Sequence, residues 1–207
     1  MSELKPDSAA TGKPSSQQKM RETILATACG GMAIALSTIL SMLTLIKMPQ
    51  GGSLTPASML PVIFCALAFG PAWGLGIGAV YGLLQFVINP FTAHWASVIL
   101  DYPLAFGLLG LAGLLAAPRR ERLADRNILH RVGLVKLPRI AAAILIGMTG
   151  RLASHVLSGV IFYAEYAGEQ NPWIYSLIYN GTYMLPEAVL TCSILIPVAA
   201  VFRVRRN

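Results

Sequence analysis

Two carboxylates and two basic side chains interrupt stretches of sequence that are otherwise apolar. Asp101 and Glu187 lie in separate hydrophobic runs, and Arg151 and His155 lie together in another. A charge at the centre of a membrane-spanning helix costs about 2.5–3.5 kcal/mol on insertion scales, so such residues usually face the bundle interior and mark function. The four residues therefore predict a small polar pocket in an apolar helical bundle, and we expect the function to reside there.

The composition places these residues in a membrane protein. The chain has 207 residues, of which 55% are hydrophobic and only 12% are charged, and its mean hydropathy is +0.62. A soluble domain carries about 25% charged residues. We expect an all-α membrane protein with one domain at residues 22–203, flanked by a disordered cytoplasmic tail at residues 1–21 and a basic tail at residues 204–207. The first tail lacks the pattern of a signal peptide.

Six apolar stretches are predicted to span the membrane, with both chain termini on the cytoplasmic side. A complete crossing requires about 20 residues, and the second stretch is shorter. We expect it to be tilted, re-entrant or extended by irregular backbone that packs against protein. The predicted spans are residues 23–46, 56–69, 72–88, 96–117, 139–163 and 174–202.

The basic residues determine the orientation. Every Lys and Arg except Lys47 and Arg151 lies in the N-terminal tail, in the loop at residues 118–139 or at the C-terminus. Six spans put these three segments on one side, which the positive-inside rule makes cytoplasmic. Topology and contact with the lipid bilayer thus explain the net charge of +7, and we predict no nucleic-acid partner.

Three polar residues on three spans reach a similar depth below the outer surface. At 1.5 Å per helical residue, Asp101, His155 and Asn180 lie about 8–12 Å from the predicted outer ends. This coincidence predicts a pocket that opens to the outside. Arg151 is one turn deeper than His155, and Glu187 is deeper still. Two interpretations of this deeper pair stay open: mutual neutralisation in the bundle, or participation in the site.

Aromatic residues crowd the same outer side. One interpretation is the interfacial aromatic belt of membrane proteins, which suits Trp173. The other combines their ring faces with Asp101 to bind a flat cationic ligand, since a desolvated cation–π contact contributes about 0.5–2 kcal/mol. The aromatic residues concerned are Phe91, Trp95, Tyr102, Tyr163, Tyr175, Tyr179 and Tyr183.

Common catalytic and metal-binding motifs are absent from the sequence. It contains no phosphate-binding G-x-x-x-x-G-K-[ST] loop, no H-E-x-x-H and no G-x-S-x-G. His94 and His155 lack the spacing of a metal site, so we predict neither metal nor cofactor. An intramembrane enzyme that uses Asp101 and His155 is a less favoured alternative. Three cysteines far apart in apolar runs are predicted to be small buried hydrophobes: Cys29, Cys65 and Cys192.

Five motifs are distributed along the chain, and the resemblance that they carry extends over about residues 22–202. They are Met48–Ser53, Ser58–Pro61, Leu100–Leu108, Arg151–Tyr163 and Tyr175–Gly181. In this combination, they resemble the first outer loop and the second, fourth, fifth and sixth spans of one family. That family is the thiamine-specific substrate-binding (S) components of energy-coupling factor (ECF) transporters, the ThiT/YuaJ family.

The resemblance implies a multi-pass protein of the bacterial cell membrane that binds thiamine from outside with high affinity. A shared transmembrane coupling subunit and two cytoplasmic ATPase subunits would supply the energy, in agreement with the missing phosphate loop. Gly31 and Ala35 resemble the family's small-residue motif for docking to the coupling subunit. A loop at residues 47–55, hinged at Gly51 and Gly52, is expected to close over the ligand. The alternative within this fold is a thiamine precursor or another vitamin as ligand.

The resemblance also assigns roles to individual residues. It implies that Asp101 is the acidic ligand-binding residue, and that His155 is the histidine of the site. A tryptophan that some relatives place in the first outer loop is missing near Gly52, and Trp95 is the candidate to replace its stacking surface. The further implied site residues are Tyr102 beside the carboxylate, Gly159 at a close approach, Tyr163 as a stacking ring, and Tyr175, Asn180 and Phe91.

Overall fold

The structure, a computed structural model, describes residues 14–204, so residues 1–13 and 205–207 of the two predicted tails lie outside it. Among the described residues, five helices are long and apolar enough to cross a membrane, and a sixth apolar helix, α2, is shorter. The prediction of an all-α membrane protein is confirmed. The helices are α1 Ser16–Met42, α2 Leu60–Phe69, α3 Pro71–Ile88, α4 Trp95–Leu115, α5 Arg119–Ala124, α6 Ile128–Gly133, α7 Leu137–Phe162 and α8 Pro172–Val204.

Both ends of α1 differ from the predicted first span. The helix begins at Ser16 because the Ser15 hydroxyl accepts from the Gln18 amide and the Gln18 side chain accepts from the Ser15 amide, a reciprocal cap. Residues 16–21, which were predicted to belong to the disordered tail, are therefore helical. At the outer end, the chain leaves the helix and forms a hairpin that the sequence analysis does not predict. Its strands are β1 Ile46–Lys47 and β2 Ser53–Leu54.

Helix α4 changes its winding where it reaches the predicted site. Pro103 has no backbone N–H and cannot continue an α-helical ladder. The chain widens into a π-helical turn there, in which the Ala105 amide donates to the Leu100 carbonyl. Such single wide turns are frequent at functional sites. This one carries Asp101 and Tyr102. The helix runs as α over Trp95–Ile99, π over Leu100–Leu104, α over Ala105–Leu108 and 3-10 over Leu109–Leu115.

A stripe of glycines on α3 packs against α4 and supports that wide turn. A methyl group added at Gly82 would lie 2.6 Å from the Tyr102 carbonyl carbon, and one at Gly78 would lie 2.9 Å from the Phe106 carbonyl carbon. Neither position has space for a side chain, so the two backbones touch. The α3 stripe therefore serves packing within the subunit.

Buried charges join the cytoplasmic ends of the helices. Glu22 of α1 pairs with Arg131 of α6 at 2.7 Å and lies 3.9 Å from Arg122 of α5. Arg122 also donates to the Ala117 carbonyl. Burial lowers the pKa of the Arg122 guanidinium, and the Glu22 carboxylate opposes that shift. The predicted loop at residues 118–139 is thus a folded part of the cytoplasmic end.

A pair of α3 variants tests this helix contact. Gly78→Leu should lower the thermal midpoint of the protein in detergent by about 5 °C, because the new side chain collides with the α4 backbone. Gly76→Leu is the matched control, since a methyl group there meets no atom within 4 Å. Equal midpoints for the two variants would contradict the close approach of α3 and α4.

Candidate functional site

A cavity of about 140 Å³ lies between the outer halves of α3, α4, α7 and α8, beneath the hairpin. Its walls include residues of these four helices and of the hairpin. Eight of the nine ligand-binding residues predicted from the sequence line it: Phe91, Asp101, Tyr102, His155, Gly159, Tyr163, Tyr175 and Asn180.

The Asp101 carboxylate is held on both oxygens by α7. Oδ1 lies 3.0 Å from His155 Nδ1, and Oδ2 accepts from the Ser158 hydroxyl at 2.7 Å. One turn away, the Ser154 hydroxyl donates to the Leu100 carbonyl at 2.6 Å, at the start of the π-helical turn. The site thus contains a carboxylate that is held in one orientation at the cavity wall.

His155 supplies an acceptor to the same cavity. Because the ionised carboxylate can only accept, the bond at Nδ1 assigns the proton to that nitrogen, which leaves Nε2 of the neutral ring as an acceptor. Nε2 is buried and has no hydrogen-bond partner among the described residues. Asp101 and His155 therefore present two adjacent acceptors, which suits a ligand with an exposed N–H group.

Arg151 and Glu187 do not form an ion pair of 4.0 Å or less in the described part of the chain. The Arg151 guanidinium carbon lies 4.4 Å from the centre of the Phe106 ring, at the cavity wall. Its Nε and Nη1 are buried without hydrogen-bond partners among the described residues. Glu187 instead accepts from Thr55 at 2.7 Å and Ser58 at 3.0 Å. Of the two open interpretations, participation in the site is the better fit for Arg151.

Tyrosine hydroxyls hold the outer loops around the cavity. Tyr102 accepts from the Phe91 amide at 2.8 Å, and Tyr163 accepts from the Ala93 amide at 3.1 Å. The rings of Phe91 and Tyr163 stack at 5.7 Å with 19° between their planes. Burial raises the pKa of the Tyr163 phenol, so this hydroxyl stays protonated at neutral pH. The result is an aromatic wall near Asp101.

Two tyrosines of α8 close the hairpin over the cavity. The Tyr179 hydroxyl accepts from the backbone amides of Gln50 and Gly52 at 3.0 and 3.3 Å. Tyr175 exchanges hydrogen bonds with the Gln50 side chain. A methyl group at Gly52 would lie 2.6 Å from the Tyr183 ring, so only glycine fits this approach. The hairpin tip is thus attached to α8 through phenol hydroxyls.

The expectation for Trp95 differs from the structure. This residue is 73% exposed, and it lies outside the cavity wall. It starts α4 ahead of the π-helical turn, where its ring lies 5.4 Å from that of His94. Trp95 therefore does not replace the missing first-loop tryptophan, and the ring surfaces at the cavity are those of tyrosines and phenylalanines.

The structure also adds residues that sequence reasoning missed. Ser158 is one turn after His155 on the same face, and this spacing was the available signal. Gln85 is a polar residue in an apolar span, which was a second signal. The loop at residues 47–55 was expected near the ligand from the family resemblance, but its individual contacts had no local signal, because they depend on segments distant in sequence. The cavity residues that the sequence analysis did not name are Gln85, Asn89, Phe106, Tyr166 and Ser176.

Gly159 and Asn180 shape the cavity wall in different ways: Gly159 permits close packing of two helices, and Asn180 makes side-chain hydrogen bonds along α8. A methyl group at Gly159 would lie 3.0 Å from Cβ of Ser176, so this glycine lets α7 approach α8. The Asn180 amide donates to the Ser176 carbonyl and accepts from the Tyr183 hydroxyl at 2.6 Å. Both residues set the spacing and chemistry of the α8 wall.

Comparison with known proteins gives a consistent result. The family model described as "Thiamine transporter protein" (Thia_YuaJ) matches residues 27–205. The chain is 35% identical to the thiamine transporter ThiT of Bacillus subtilis over 153 residues, which are 73% of this chain and 76% of that protein. It is 32% identical to ThiT of Lacticaseibacillus paracasei over 64% of this chain and 66% of that protein.

A solved structure of ThiT from Listeria monocytogenes has a similar fold. The TM-score is 0.71 at 22% sequence identity, and the match covers 87% of this chain and 96% of that chain. At this identity, the likeness concerns the helical fold.

A tyrosine variant tests the closure of the hairpin. Tyr179→Phe removes the acceptor of two backbone bonds, so amide hydrogen exchange at Gln50 and Gly52 should become faster, by about fivefold or more. Tyr166→Phe is the control, because Tyr166 also lines the cavity but its hydroxyl makes no hydrogen bond to a described residue. Unchanged exchange in the Tyr179 variant would refute attachment of the hairpin through this hydroxyl.

Proposed function

The chain belongs to the thiamine transporter protein family (Thia_YuaJ), and we propose that Asp101, His155 and the surrounding aromatic rings bind thiamine in the cavity described above. The protein is a thiamine-binding multi-pass protein of the bacterial cell membrane, and it is not an enzyme. The observation that supports the site assignment is the Asp101 carboxylate, fixed by His155 and Ser158 in an aromatic cavity on the outer side.

The cavity matches the chemistry of thiamine group by group. The vitamin has an aminopyrimidine ring with N–H donors and ring-nitrogen acceptors, and a thiazolium ring with a permanent positive charge. The Asp101 carboxylate and the free His155 Nε2 are acceptors for the amino group. The free N–H groups of Arg151 are donors for a ring nitrogen. The stacked Phe91 and Tyr163 rings offer π-faces to the flat cation.

The arrangement of the side chains also indicates how thiamine enters the cavity and how the hairpin closes over it. The cavity lies on the side opposite the buried cytoplasmic charges, so thiamine enters from outside. Among the described residues, the hydrogen bonds from α8 to the hairpin tip involve tyrosine hydroxyls, and each such bond contributes only about 0.5–1.5 kcal/mol, so we expect the tip to open at a modest cost in free energy. Opening at Gly51 and Gly52 admits the vitamin, and reclosure brings Gln50 over it.

Import requires partners that supply energy. We propose a transmembrane coupling subunit and two cytoplasmic ATPase subunits of the ECF type. Gly31 and Ala35 lie on the exposed face of α1, where a methyl group at Gly31 meets no atom within 4 Å. Met32 and Leu36 on the same face are 63% and 50% exposed. This face is small and apolar, as is typical of contacts between helices in a membrane.

The Asp101 carboxylate is the first test of the binding site. Asp101→Asn should weaken thiamine binding at least tenfold, because it removes the carboxylate and leaves the shape of the side chain unchanged. Titration of the purified protein, followed by tryptophan fluorescence or calorimetry, measures this. Glu165→Gln is the control, since that carboxylate is exposed on the same side. Equal affinities for the native protein and the Asp101 variant would remove this residue from the site.

A competition experiment in the same binding assay distinguishes thiamine from its precursor as the preferred ligand. Thiamine should displace bound vitamin at far lower concentration than hydroxymethylpyrimidine, which lacks the cationic ring. Stronger competition by the precursor would favour it as the physiological ligand.

Partner docking is tested separately from binding. The double variant Gly31→Leu with Ala35→Leu should lose co-purification with the coupling subunit and its ATPases, because bulky side chains prevent close approach of the helices. Thiamine affinity should stay the same, since α1 does not line the cavity. A complex that forms normally would assign the contact to another face.

A further inference from the structure

Gln85 is a polar residue of α3 that lines the cavity, and the binding chemistry described above gives it no role. Its Nε2 donates to the Ser41 hydroxyl oxygen of α1 at 3.0 Å. Within residues 14–204, its Oε1 accepts no hydrogen bond. A residue of the cavity wall thus has one amide atom bound to a neighbouring helix and one that is available to a ligand.

Ser41 determines which amide atom turns towards α1. Its hydroxyl has a single proton, which it donates to the Thr38 carbonyl at 2.7 Å. The Ser41 oxygen can therefore only accept from Gln85, and an acceptor pairs with the NH2 group of an amide. This bond assigns Nε2 to the side of α1 and leaves Oε1 as the unpaired atom of the side chain.

The contact between α1 and α3 is fixed at the next turn as well. Tyr81, one turn before Gln85, donates to the Ser37 carbonyl at 3.2 Å and is fully buried. The edge of the Tyr81 ring meets Phe106, which lines the cavity, with 5.0 Å between ring centres. Over two successive turns, α3 therefore lies between α1 and the cavity. Ser41 holds the Gln85 amide without lining the cavity itself.

Thiamine has two groups that donate hydrogen bonds. They are the amino group of the pyrimidine and the hydroxyl of the hydroxyethyl side chain on the thiazolium. In the proposed function, the adjacent acceptors of Asp101 and His155 match the amino group. An acceptor on another helix, Oε1 of Gln85, matches the remaining donor, the hydroxyl.

We propose that Gln85 is a specificity-determining residue whose Oε1 accepts from the hydroxyl of thiamine, and that Ser41 is a positioning residue that holds the amide for this contact. The proposal rests on the proposed function, because it concerns the same cavity and ligand. It differs from a purely structural role, in which Gln85 only joins α3 to α1. A structural joint would affect every ligand equally, whereas a contact with the hydroxyl affects only ligands that carry this group.

The experiment compares thiamine with an analogue whose hydroxyethyl side chain is replaced by ethyl. The analogue keeps both rings and the charge but lacks the hydroxyl. The native protein should bind thiamine about fivefold more tightly than the analogue, as expected for one hydrogen bond between uncharged groups. Gln85→Met keeps the length of the side chain and removes the amide. It should weaken thiamine about fivefold and change the affinity of the analogue by less than about twofold.

A pair of serine variants tests the positioning role. Ser41→Ala removes the acceptor that orients the amide, so the preference for thiamine over the analogue should fall by at least about twofold. Ser37→Ala is the matched control one turn away on the same helix. The Ser37 hydroxyl is buried without a hydrogen-bond partner in the described part of the chain, and the bond from Tyr81 goes to the backbone carbonyl. This control should change neither affinity.

A second amide at the cavity provides the control for Gln85. Asn89 also lines the cavity, but it is exposed, and no described residue holds its side chain by a hydrogen bond. An amide that is free to turn in water gains little from one more hydrogen bond. Asn89→Leu should therefore leave the preference for thiamine unchanged.

Each other outcome overturns the proposal. An equal loss for both ligands in Gln85→Met would assign Gln85 to the joint between α3 and α1. Loss of the preference in Asn89→Leu would move the hydroxyl contact to that amide, and an unchanged preference in Ser41→Ala would refute the positioning role. If Gln85→Met does not fold, the native preference still decides, since equal native affinities for the two ligands would exclude the contact. If the native protein binds neither ligand, the proposed function itself fails, and this result is distinct from the others.

Discussion

The site depends on one constraint: the Asp101 carboxylate lies in an apolar helical bundle, where loss of contact with water must be compensated by hydrogen bonds. Asp101 satisfies it through His155 and Ser158, both on α7. Those two bonds require α4 and α7 to lie at a fixed distance and rotation. The π-helical turn at Pro103 and the glycine contacts from α3 provide that placement, because they let α4 bend and pack closely at this level.

The loop between α1 and α2 is held in two chemically different ways. At its base, Thr55 and Ser58 donate to the fully buried Glu187. At its tip, phenol hydroxyls at the edge of the cavity hold Gln50 and Gly52. Bonds at the cavity edge compete with water, whereas the bonds to Glu187 are shielded from water by burial. The tip can therefore open while the base stays in place.

The two ends of the molecule have different electrostatic characters. At the cytoplasmic end, Glu22 and two arginines are buried together and tie α5 and α6 to α1. At the outer end, the charges surround a cavity, and two nitrogens of the Arg151 guanidinium have no hydrogen-bond partner within residues 14–204. Paired charges give rigidity, whereas free buried donors and acceptors are available to a ligand. The distribution of charge thus separates the anchoring end from the binding end.

Sequence alone determined the apolar helices, their orientation and the residues that share a depth, because helical rise and the cost of charge in lipid are local properties of the chain. Asp101, His155 and Asn180 were predicted together on that basis, and the structure places all three at one cavity. Only the tertiary structure decided which way side chains point across the bundle. The exposure of Trp95, the separation of Arg151 from Glu187 and the closure of the hairpin depend on helix rotation and on contacts between distant segments, which no local pattern records.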